Sequence, residues 1–351
     1  MLQQAQILQN NNQTDNDQVS LPVELRQLIT GYFASQSIYV AAKLGIADLL
    51  KDGAKNSDQL AQSTGAHPRS LYRLMRVLAS VGVLTEIADN RFELTPMGEL
   101  LRTDVPDSLR TAAILFGEEP YRACADLHYS VMTGNTAFNH IYGMGHFEYL
   151  SQNAEAGETF NQAMTQLTTQ VHSAVVSAYD FSGINRIVDV GGGHGLLLAS
   201  ILKANPHMTG VLFELPFATE GAQRLLEAEG VGERSEVIVG NFFESEVPQG
   251  GDAYLLKSVI HDWDDDRSRT ILKNCHKSMS KDAKLLVIER VLPAGNKPSV
   301  AKINDLVMLV VAGGCERTGL EYQELFEASG FQLTNIIPTP SGFSVIEGIP
   351  V

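Results

Sequence analysis

Cysteine is scarce in this sequence of 351 residues, which contains only Cys124, Cys275 and Cys315. The three cysteines are far apart and form no CxxC pair, so they predict a reduced, cytoplasmic protein without a disulfide framework or a zinc cluster. Basic residues are also in deficit, because 26 lysines and arginines face 41 aspartates and glutamates and leave a net charge of −15. That charge argues against a general binder of nucleic acids or anionic membranes.

Long apolar runs are missing as well. No stretch approaches the roughly 20 apolar residues of a membrane-spanning helix. The N-terminus also lacks the basic and then apolar pattern of a secretory signal. Residues 1–18 are rich in amide side chains, which bury little apolar area, and we expect a disordered tail there.

Residues 19–106 have the pattern of a small, mostly helical domain. Apolar residues recur at helical spacing up to about residue 50. A short helix, a turn at Gly65, a second helix and a hairpin joined at Asp89 and Asn90 then follow in winged-helix order. This order raises the alternative of a DNA-binding regulator, but residues 55–100 contain five basic and five acidic side chains. A helix that reads DNA normally carries a positive excess, so a packing or dimerisation role is favoured.

The pattern changes again along the rest of the chain. Residues 107–180 read as mostly helical. From Arg186 onwards, short apolar runs alternate with amphipathic segments, which predicts a parallel sheet with helices on both faces. The last two apolar runs are separated only by a Pro-Ser-Gly turn, so they permit an antiparallel hairpin at the sheet edge.

A glycine loop, IVDVGGGHG, places Gly191, Gly193 and Gly195 directly after a buried strand and before a helix. Glycines let a ligand approach the backbone, and the start of the helix offers free amides. Leu196 stands where a dinucleotide fingerprint needs its third glycine. Asp189 suits a ligand with a cationic ammonium group, and Glu214 at the end of the next strand can accept the hydroxyls of a ribose. The loop therefore predicts a nucleoside site.

Six motifs occur in a familiar order: VDVGGGHG, FELP, GNFFESEVP, LKSVIHDWDDD, IERVLP and GGCERT. In this order they resemble class I S-adenosylmethionine-dependent O-methyltransferases of the plant caffeate and flavonoid type and their bacterial natural-product relatives. The resemblance implies an α/β fold, with a Rossmann-like seven-stranded methyltransferase domain and an N-terminal helical, winged-helix-like dimerisation domain. The implied segments are the dimerisation domain at 19–106, a helical connector that contributes to the substrate pocket at 107–180, and the cofactor-binding domain at 181–351.

The resemblance also implies the residues that bind the cofactor, S-adenosylmethionine. They are Asp189, Gly191, Gly193, Glu214, Asn241, Phe242, Lys257 and Thr168. The sequence departs from the family at Asn241, where an aspartate normally contacts the adenine amino group; an asparagine can still accept that hydrogen bond, without charge. Lys257 has the alternative of being a solvated lysine at a strand end.

His261 matches the catalytic base of the family, which removes the proton of the acceptor hydroxyl. A neutral imidazole suits this role because its unperturbed pKa is about 6.5. Glu289 and Glu316 match carboxylates that flank the base in relatives and fix its tautomer. Asp262 is a further family position, which we expect to serve the loop or the bound molecules. The three acids that follow Trp263, residues 264–266, are expected to cap the next helix.

The resemblance implies an acceptor pocket as well. Its residues are Phe160 and Met164, which flank an aromatic ring in the family, with Asp262, Asp305 and Met308 and, more loosely, Val311, Phe116, Tyr142 and Phe147. Each apolar member could instead be ordinary core. No metal is expected at His261, because the acids next to it are sequential rather than at ligand spacing.

The sequence therefore predicts a homodimeric O-methyltransferase that acts on a hydroxyl of a small aromatic or polyketide-like metabolite. We expect no nucleic-acid or membrane partner. The same scaffold could instead methylate nitrogen or carbon, or perform non-methylating chemistry. The retained His261, Glu289 and Glu316 favour oxygen.

Overall fold

The computed structural model describes residues 20–351, without the side chains of Thr169, Gln170 and Phe217. The predicted disordered tail, residues 1–18, lies outside the described residues. No helix in the described part of the chain is long and apolar enough to cross a membrane.

The N-terminal region consists of short helices around a small antiparallel sheet of order β1-β3-β2. Its helices are α1 (Leu21–Ile29), α2 (Tyr32–Lys43), α3 (Ile46–Leu50), α4 (Ser57–Thr64), α5 (Pro68–Ser80) and α6 (Pro96–Glu99), and its strands are β1 (Lys55–Asn56), β2 (Leu84–Ile87) and β3 (Arg91–Leu94).

Local sequence signals set this order. Asn56 and Gln59 form a reciprocal capping box that starts α4, and Gly65 ends the helix with a left-handed φ of 73°. The predicted hairpin is present, and its turn residues Asp89 and Asn90 both have positive φ values, of 62° and 56°. The helix–turn–helix–hairpin order is thus observed, and the winged-helix interpretation stays a prediction.

The middle of the chain is helical, as predicted. It contains α7 (Arg110–Gly117), α8 (Glu119–Ala125), α9 (Leu127–Thr133), α10 (Ala137–Tyr142), α11 (His146–Gln152) and α12 (Ala154–Ala178). The 25-residue α12 packs against α7 and against the first helix of the next domain, so it joins the two halves of the molecule.

The C-terminal region is a seven-stranded sheet of order β6-β5-β4-β7-β8-β10-β9. Its strands are β4 (Arg186–Val190), β5 (Thr209–Glu214), β6 (Ser235–Val239), β7 (Ala253–Lys257), β8 (Lys284–Glu289), β9 (Phe331–Pro338) and β10 (Ser344–Pro350). Its helices are α13 (Leu196–Ala204), α14 (Pro216–Ala228), α15 (Asp265–Ser278), α16 (Val300–Val311) and α17 (Gly319–Glu327). Strands β4 to β8 are parallel, and β9 and β10 form the antiparallel hairpin that the sequence permitted.

Both faces of this sheet are covered. Along β4, Ile187 packs into one hydrophobic core and Val188 and Val190 pack into the other, because successive side chains in a strand point to opposite faces. The central strands therefore read as continuous apolar runs. Since β5 and β6 lie on one side of β4 and β7 lies on the other, the strand order reverses beside the end of β4. In open α/β sheets a ligand binds at such a reversal.

Arg317 ties together the segments that follow β7 and α16. It is only 2% exposed. Its guanidinium donates hydrogen bonds to the carbonyl oxygens of Ile260 (3.2 Å) and Trp263 (3.0 Å) and to Oδ1 of Asp265 (2.8 Å). The side chain of Arg317 therefore holds the backbone of the loop between β7 and α15 in place.

We predict that Arg317→Met lowers the free energy of unfolding by about 3 kcal/mol, because two buried carbonyl groups lose their donor. Urea denaturation measures this change. The matched control is Arg269→Met, since Arg269 pairs with the exposed acids Asp266 (2.6 Å) and Asp265 (3.9 Å), and its loss should cost about 0–1 kcal/mol. Equal losses in the two variants would contradict the anchoring role.

Candidate active site

The glycine loop connects β4 to α13 and depends on backbone conformations that favour glycine. Gly191, Gly193 and Gly195 have φ values of 73°, 59° and 78°, in the left-handed region. Gly192, which the sequence analysis did not single out, is needed for a different reason: a Cβ there would lie 2.3 Å from Oδ2 of Asp189. The run of three consecutive glycines was the signal that could have revealed it.

Asp189 lies beneath this loop and is only 1% exposed. Neither of its carboxylate oxygens has a hydrogen-bond partner among the described residues. Burial, reinforced by the charge of Glu214 and opposed by Lys257, raises the pKa of Asp189 to about 7. A buried carboxylate without partners is costly, so this position fits a cationic group of a bound molecule.

Glu214 ends β5 and is 9% exposed. Its Oε2 accepts a hydrogen bond from the backbone N–H of Gly193 (2.8 Å), and its Oε1 accepts one from Leu215 (2.6 Å). Burial raises its pKa, and these two backbone hydrogen bonds oppose the shift. Each oxygen keeps a second lone pair for a ligand hydroxyl.

Asn241 and Phe242 follow β6. Oδ1 of Asn241 accepts a hydrogen bond from the backbone N–H of Phe243 (3.0 Å), so part of its acceptor capacity is used within the chain. The ring of Phe242 approaches the glycine loop, because a Cβ on Gly191 would lie 3.3 Å from its edge. Phe242 therefore belongs to the same crevice as Asp189.

Lys257 ends β7 beside β4. Burial lowers its pKa to about 8, against the opposing charges of Glu289, Asp189 and Asp262. His172 on α12, which sequence reasoning missed, is 4% exposed, and its Nδ1 has no hydrogen-bond partner among the described residues. Burial and the charge of Lys257 lower the pKa of His172 to about 3, so the imidazole is neutral.

The remaining predicted cofactor residue, Thr168, lies one turn before His172 on the same face of α12. It is 8% exposed, and its hydroxyl donates to the carbonyl oxygen of Met164 (2.7 Å). Residues three and four apart in a helix share a face. Helical spacing was therefore the signal that could have drawn His172 into the prediction.

His261 lies on a short 3₁₀ turn, Ile260–Asp262, directly after β7. Its Nδ1 is 3.0 Å from Oε1 of Glu316 and 3.4 Å from Oε2 of Glu289. Glu289 ends β8 and is fully buried, and its Oε1 accepts hydrogen bonds from the backbone N–H groups of Val259 (3.0 Å) and His261 (3.3 Å). The structure thus brings together the three predicted catalytic residues.

Glu316 is held by residues of α16. The Asn304 amide donates to Oε1 of Glu316, and the backbone N–H of Glu316 donates to Oδ1 of Asp305 (2.9 Å). Asp305 was predicted for the acceptor pocket, but this oxygen positions Glu316. Asn304 was not anticipated.

The protonation of His261 is governed by three acids. Burial alone disfavours the imidazolium, but the charges of Glu289, Asp262 and Glu316 outweigh it and raise the pKa of His261 to about 10. Oδ1 of Asp262 lies 3.7 Å from the other ring nitrogen, Nε2. Burial, against the opposing charge of His261, raises the pKa of Asp262 to about 6 and that of Glu289 to about 7. His261, Asp262 and Glu289 therefore titrate as a coupled cluster.

Gly314 fixes the approach of the two loops. A Cβ on it would lie 2.1 Å from the carbonyl oxygen of His261 and 2.4 Å from the backbone nitrogen of Trp263. Only glycine permits this backbone-to-backbone contact, which explains the glycine directly before Cys315.

The same three side chains could also be considered as metal ligands. One nitrogen or oxygen atom each of His261, Glu289 and Glu316 lies within 4.8 Å of the others. The distance from Nδ1 to Glu316 is that of a hydrogen bond, and Glu289 is engaged by backbone N–H groups. These contacts account for one oxygen of each carboxylate, and the absence of a metal stays a prediction.

Three of the predicted acceptor residues, Phe147, Phe160 and Tyr142, belong to an aromatic cluster with Phe138, His146 and Trp263. The ring of Phe147 stacks on Trp263 with centroids 5.7 Å apart, and it meets Phe160 edge-on at 6.2 Å. Met308 and Val311 are buried on α16, and Val311 packs with Phe138. The remaining candidates differ in exposure: Met164 and Tyr142 are partly buried, and Phe116 is 44% exposed.

Aspartates cap the next helix as predicted. Oδ1 of Asp264 accepts a hydrogen bond from the backbone N–H of Arg267 (2.8 Å), and Asp265 and Asp266 lie in the first turn of α15. The acidic run after Trp263 therefore starts a helix.

Two family models match this chain. An O-methyltransferase dimerisation domain matches residues 26–104, and an O-methyltransferase domain matches residues 124–332. The phenazine O-methyltransferase PhzM of Lysobacter antibioticus is 47% identical over 95% of this chain and 97% of its own length. The phenazine-1-carboxylate N-methyltransferase of Pseudomonas aeruginosa is 31% identical over 93% of this chain and 96% of its own.

Solved structures agree with these matches. The crystal structure of LaPhzM superposes with a TM-score of 0.92 at 47% identity, covering 95% of this chain and 100% of that one. NcsB1, an O-methyltransferase from neocarzinostatin biosynthesis solved with S-adenosylmethionine and 2-hydroxy-5-methyl naphthoic acid, gives a TM-score of 0.85 at 30% identity, covering 96% and 100%. The chain therefore belongs to the O-methyltransferase family, as an S-adenosylmethionine-dependent methyltransferase of the bacterial secondary-metabolism type.

Proposed function

We propose that this enzyme transfers a methyl group to a hydroxyl of a small aromatic metabolite, with His261 as the general base. The observation that carries the proposal is the pair of buried carboxylates at Nδ1 of His261, 3.0 and 3.4 Å away. A carboxylate at one ring nitrogen keeps the proton there and leaves the other nitrogen as the acceptor. Nε2 is then the atom that takes the proton of the acceptor hydroxyl.

The raised pKa of His261 sets a condition on this role. With a pKa of about 10 the imidazole carries a proton at neutral pH, whereas a general base has to be neutral. A positive charge bound in the same crevice lowers the pKa of a nearby imidazolium. We therefore infer that His261 becomes competent when the cationic cofactor is bound, and that Asp262 and Glu289 share the displaced proton.

The residues at the ends of β4 and β5 fit the cofactor. Asp189 offers two unpartnered buried oxygens to an ammonium group, and Glu214 offers free lone pairs to ribose hydroxyls. Phe242 supplies an apolar surface for the adenine, with Asn241 as a neutral acceptor. We assign Lys257 and Thr168 to the same crevice. Bound S-adenosylmethionine supplies an electrophilic methyl group on a sulfonium.

The aromatic cluster supports a flat acceptor. Phe160 and Met164, with Met308 on α16, would hold an aromatic ring by dispersion and ring–ring contacts. Phe147 contacts both Phe160 and Trp263, and Trp263 lies two residues after the base. Positioning the hydroxyl against Nε2 supplies much of the catalysis, because methyl transfer needs an aligned approach. The related phenazine O-methyltransferase makes a hydroxyphenazine a suitable test acceptor.

We also propose that two copies of the chain associate through residues 19–106. The dimerisation-domain match supports this assignment. So do the apolar side chains that α1 exposes, Leu21, Leu25, Leu28 and Ile29. The equal numbers of acidic and basic residues in 55–100 disfavour the alternative of a DNA-binding regulator.

Nitrogen methylation is the second candidate, and the N-methylating relative at 31% identity is the observation that favours it. A neutral nitrogen nucleophile has less need of a base than a hydroxyl. Retention of the whole His261, Glu289 and Glu316 cluster therefore favours oxygen.

We predict that His261→Ala reduces kcat about 10²- to 10⁴-fold, because the acceptor hydroxyl loses its base. Its dissociation constant for S-adenosylmethionine, measured by calorimetry, should stay within about threefold of wild type. Turnover of 1-hydroxyphenazine is followed by mass spectrometry as a gain of one methyl group. His128→Gln, at an exposed histidine of α9, is the control. Unchanged turnover in His261→Ala would remove His261 from the base role.

Asp262→Asn should move the acidic limb of the pH–kcat profile to lower pH, by about one unit. Activity rises with pH as His261 loses its proton, and the removal of the carboxylate near Nε2 lowers the pKa at which this happens. The measurement is kcat between pH 5 and pH 10 at saturating substrates. A limb that stays in place or moves to higher pH would show that Asp262 does not tune the base.

Affinity for S-adenosylmethionine should increase with pH around neutrality. The pKa of Asp189 is raised to about 7, and only the carboxylate form, which predominates above that pH, attracts an ammonium group. Calorimetric titrations from pH 5.5 to 8.5 should therefore show affinity falling on the acidic side. In Asp189→Asn the affinity should be weaker at every pH and should lose this dependence; persistence of the dependence would assign it to another group.

A further inference from the structure

His146 begins α11 and lies inside the aromatic cluster. It is 7% exposed. Its ring centroid is 5.1 Å from Phe138, 5.4 Å from Phe147 and 5.4 Å from Phe160. The contacts with Phe138 and Phe160 are edge-on, at interplanar angles of 76° and 79°. The imidazole thus belongs to the aromatic cluster to which we assign the acceptor ring.

The ring nitrogens of His146 have no use within the protein. His146 forms no side-chain hydrogen bond with another described residue. Neither of its nitrogens is among the fully enclosed polar atoms that lack a partner in residues 20–351, so its small exposed area includes them. Buried polar groups are nearly always hydrogen-bonded, and two imidazole nitrogens carry a desolvation cost that a phenyl ring would not. The nitrogens therefore point to a partner from outside the chain.

The charge state of His146 restricts that partner. Burial lowers its pKa to about 4, so at neutral pH the ring is uncharged, with one nitrogen a donor and the other an acceptor. A neutral imidazole is matched to a neutral hydrogen-bonding group, such as a ring nitrogen, a carbonyl or a hydroxyl.

The position of His146 relative to the base is set by its neighbours. The ring of Phe147 stacks on Trp263, which follows His261 by two residues. Phe138 packs with Val310 and Val311 of α16, next to Met308. Phe147 thus contacts both the ring of His146 and Trp263, so we place His146 beside the ring system of the acceptor rather than at the hydroxyl that contacts His261.

We propose that His146 selects the acceptor by hydrogen bonding to a second polar atom of the aromatic ring system, remote from the methylated hydroxyl. The acceptor class is a fused aromatic phenol with a neutral nitrogen or oxygen at that remote position. This inference rests on the proposed function, and it assigns the specificity of the same pocket. A site built to hydrogen-bond a substrate group discriminates strongly against the analogue that lacks it, because the buried polar group is then left unpaired.

Matched acceptors and matched variants test the proposal. The first acceptor pair is 2-hydroxyphenazine and 2-hydroxyanthracene, which differ only in the ring nitrogens. The second is 2,6-dihydroxynaphthalene and 2-naphthol, which differ in the remote hydroxyl. His146→Phe keeps the aromatic packing and removes both nitrogens, His146→Gln restores a neutral donor and acceptor, and His128→Gln is the surface control.

In wild type, kcat/KM should favour the polar member of at least one pair by about tenfold or more. His146→Phe should lose that preference through KM for the polar acceptor, with the apolar acceptor changed by less than about threefold. His146→Gln should recover part of it. The melting temperature and the affinity for S-adenosylhomocysteine should be unchanged in all variants, which separates specificity from a packing role.

The proposal is overturned if wild type prefers neither polar acceptor, or if His146→Phe keeps the preference. Failure of this proposal can be distinguished from failure of the proposed function. The same four phenols can be titrated into the S-adenosylhomocysteine complex by calorimetry, which measures binding without methyl transfer. An enzyme that methylates none of them but still binds the polar members more tightly, and loses this in His146→Phe, supports the pocket assignment and refutes O-methyl transfer to these phenols.

Discussion

The placement of one imidazole nitrogen beside two buried carboxylates is the constraint on which the rest of the site depends: Nδ1 of His261 is hydrogen-bonded to Glu316 at 3.0 Å and lies 3.4 Å from Oε2 of Glu289. Glu289 and Glu316 are almost fully enclosed, and two such anions close together are unfavourable unless a proton or a cation lies between them. His261 fills that position. The end of β8, the turn after β7 and the segment after α16 are therefore held in one arrangement by the group that would also perform the proton transfer.

Three contacts with main-chain atoms also stabilise this arrangement. Asp305 holds the main chain of Glu316, Arg317 holds the carbonyl groups around Trp263, and Gly314 lets the two loops touch. They illustrate how a site on loops obtains the precision that a rigid scaffold would otherwise supply.

Much of the fold could be predicted because it follows from local signals. The central strands are continuous apolar runs, and the glycine loop, the caps and the hairpin turn are short sequence patterns. The cluster of His261, Glu289 and Glu316 could be predicted only through the resemblance, because Glu316 lies 55 positions after His261 and no spacing rule joins them. Gly192 and His172 were missed although a glycine run and helical spacing pointed to them, whereas Asn304 and His146 were missed because their contacts arise where separate elements pack together.

The direct contact between the main chain at Gly314 and that at His261 has a consequence for how the pocket opens. Two backbones in contact have no side chain between them that could swing aside, so the catalytic turn and the segment carrying Glu316 are coupled. On the proposed function, a movement that admits the acceptor would then fall on the short helices of residues 110–152. Those helices are joined by tight glycine turns, at Gly134 and Gly143, rather than by a common sheet. On the proposed function, the side of the site that contacts the acceptor ring would thus be separable from the side that carries the base.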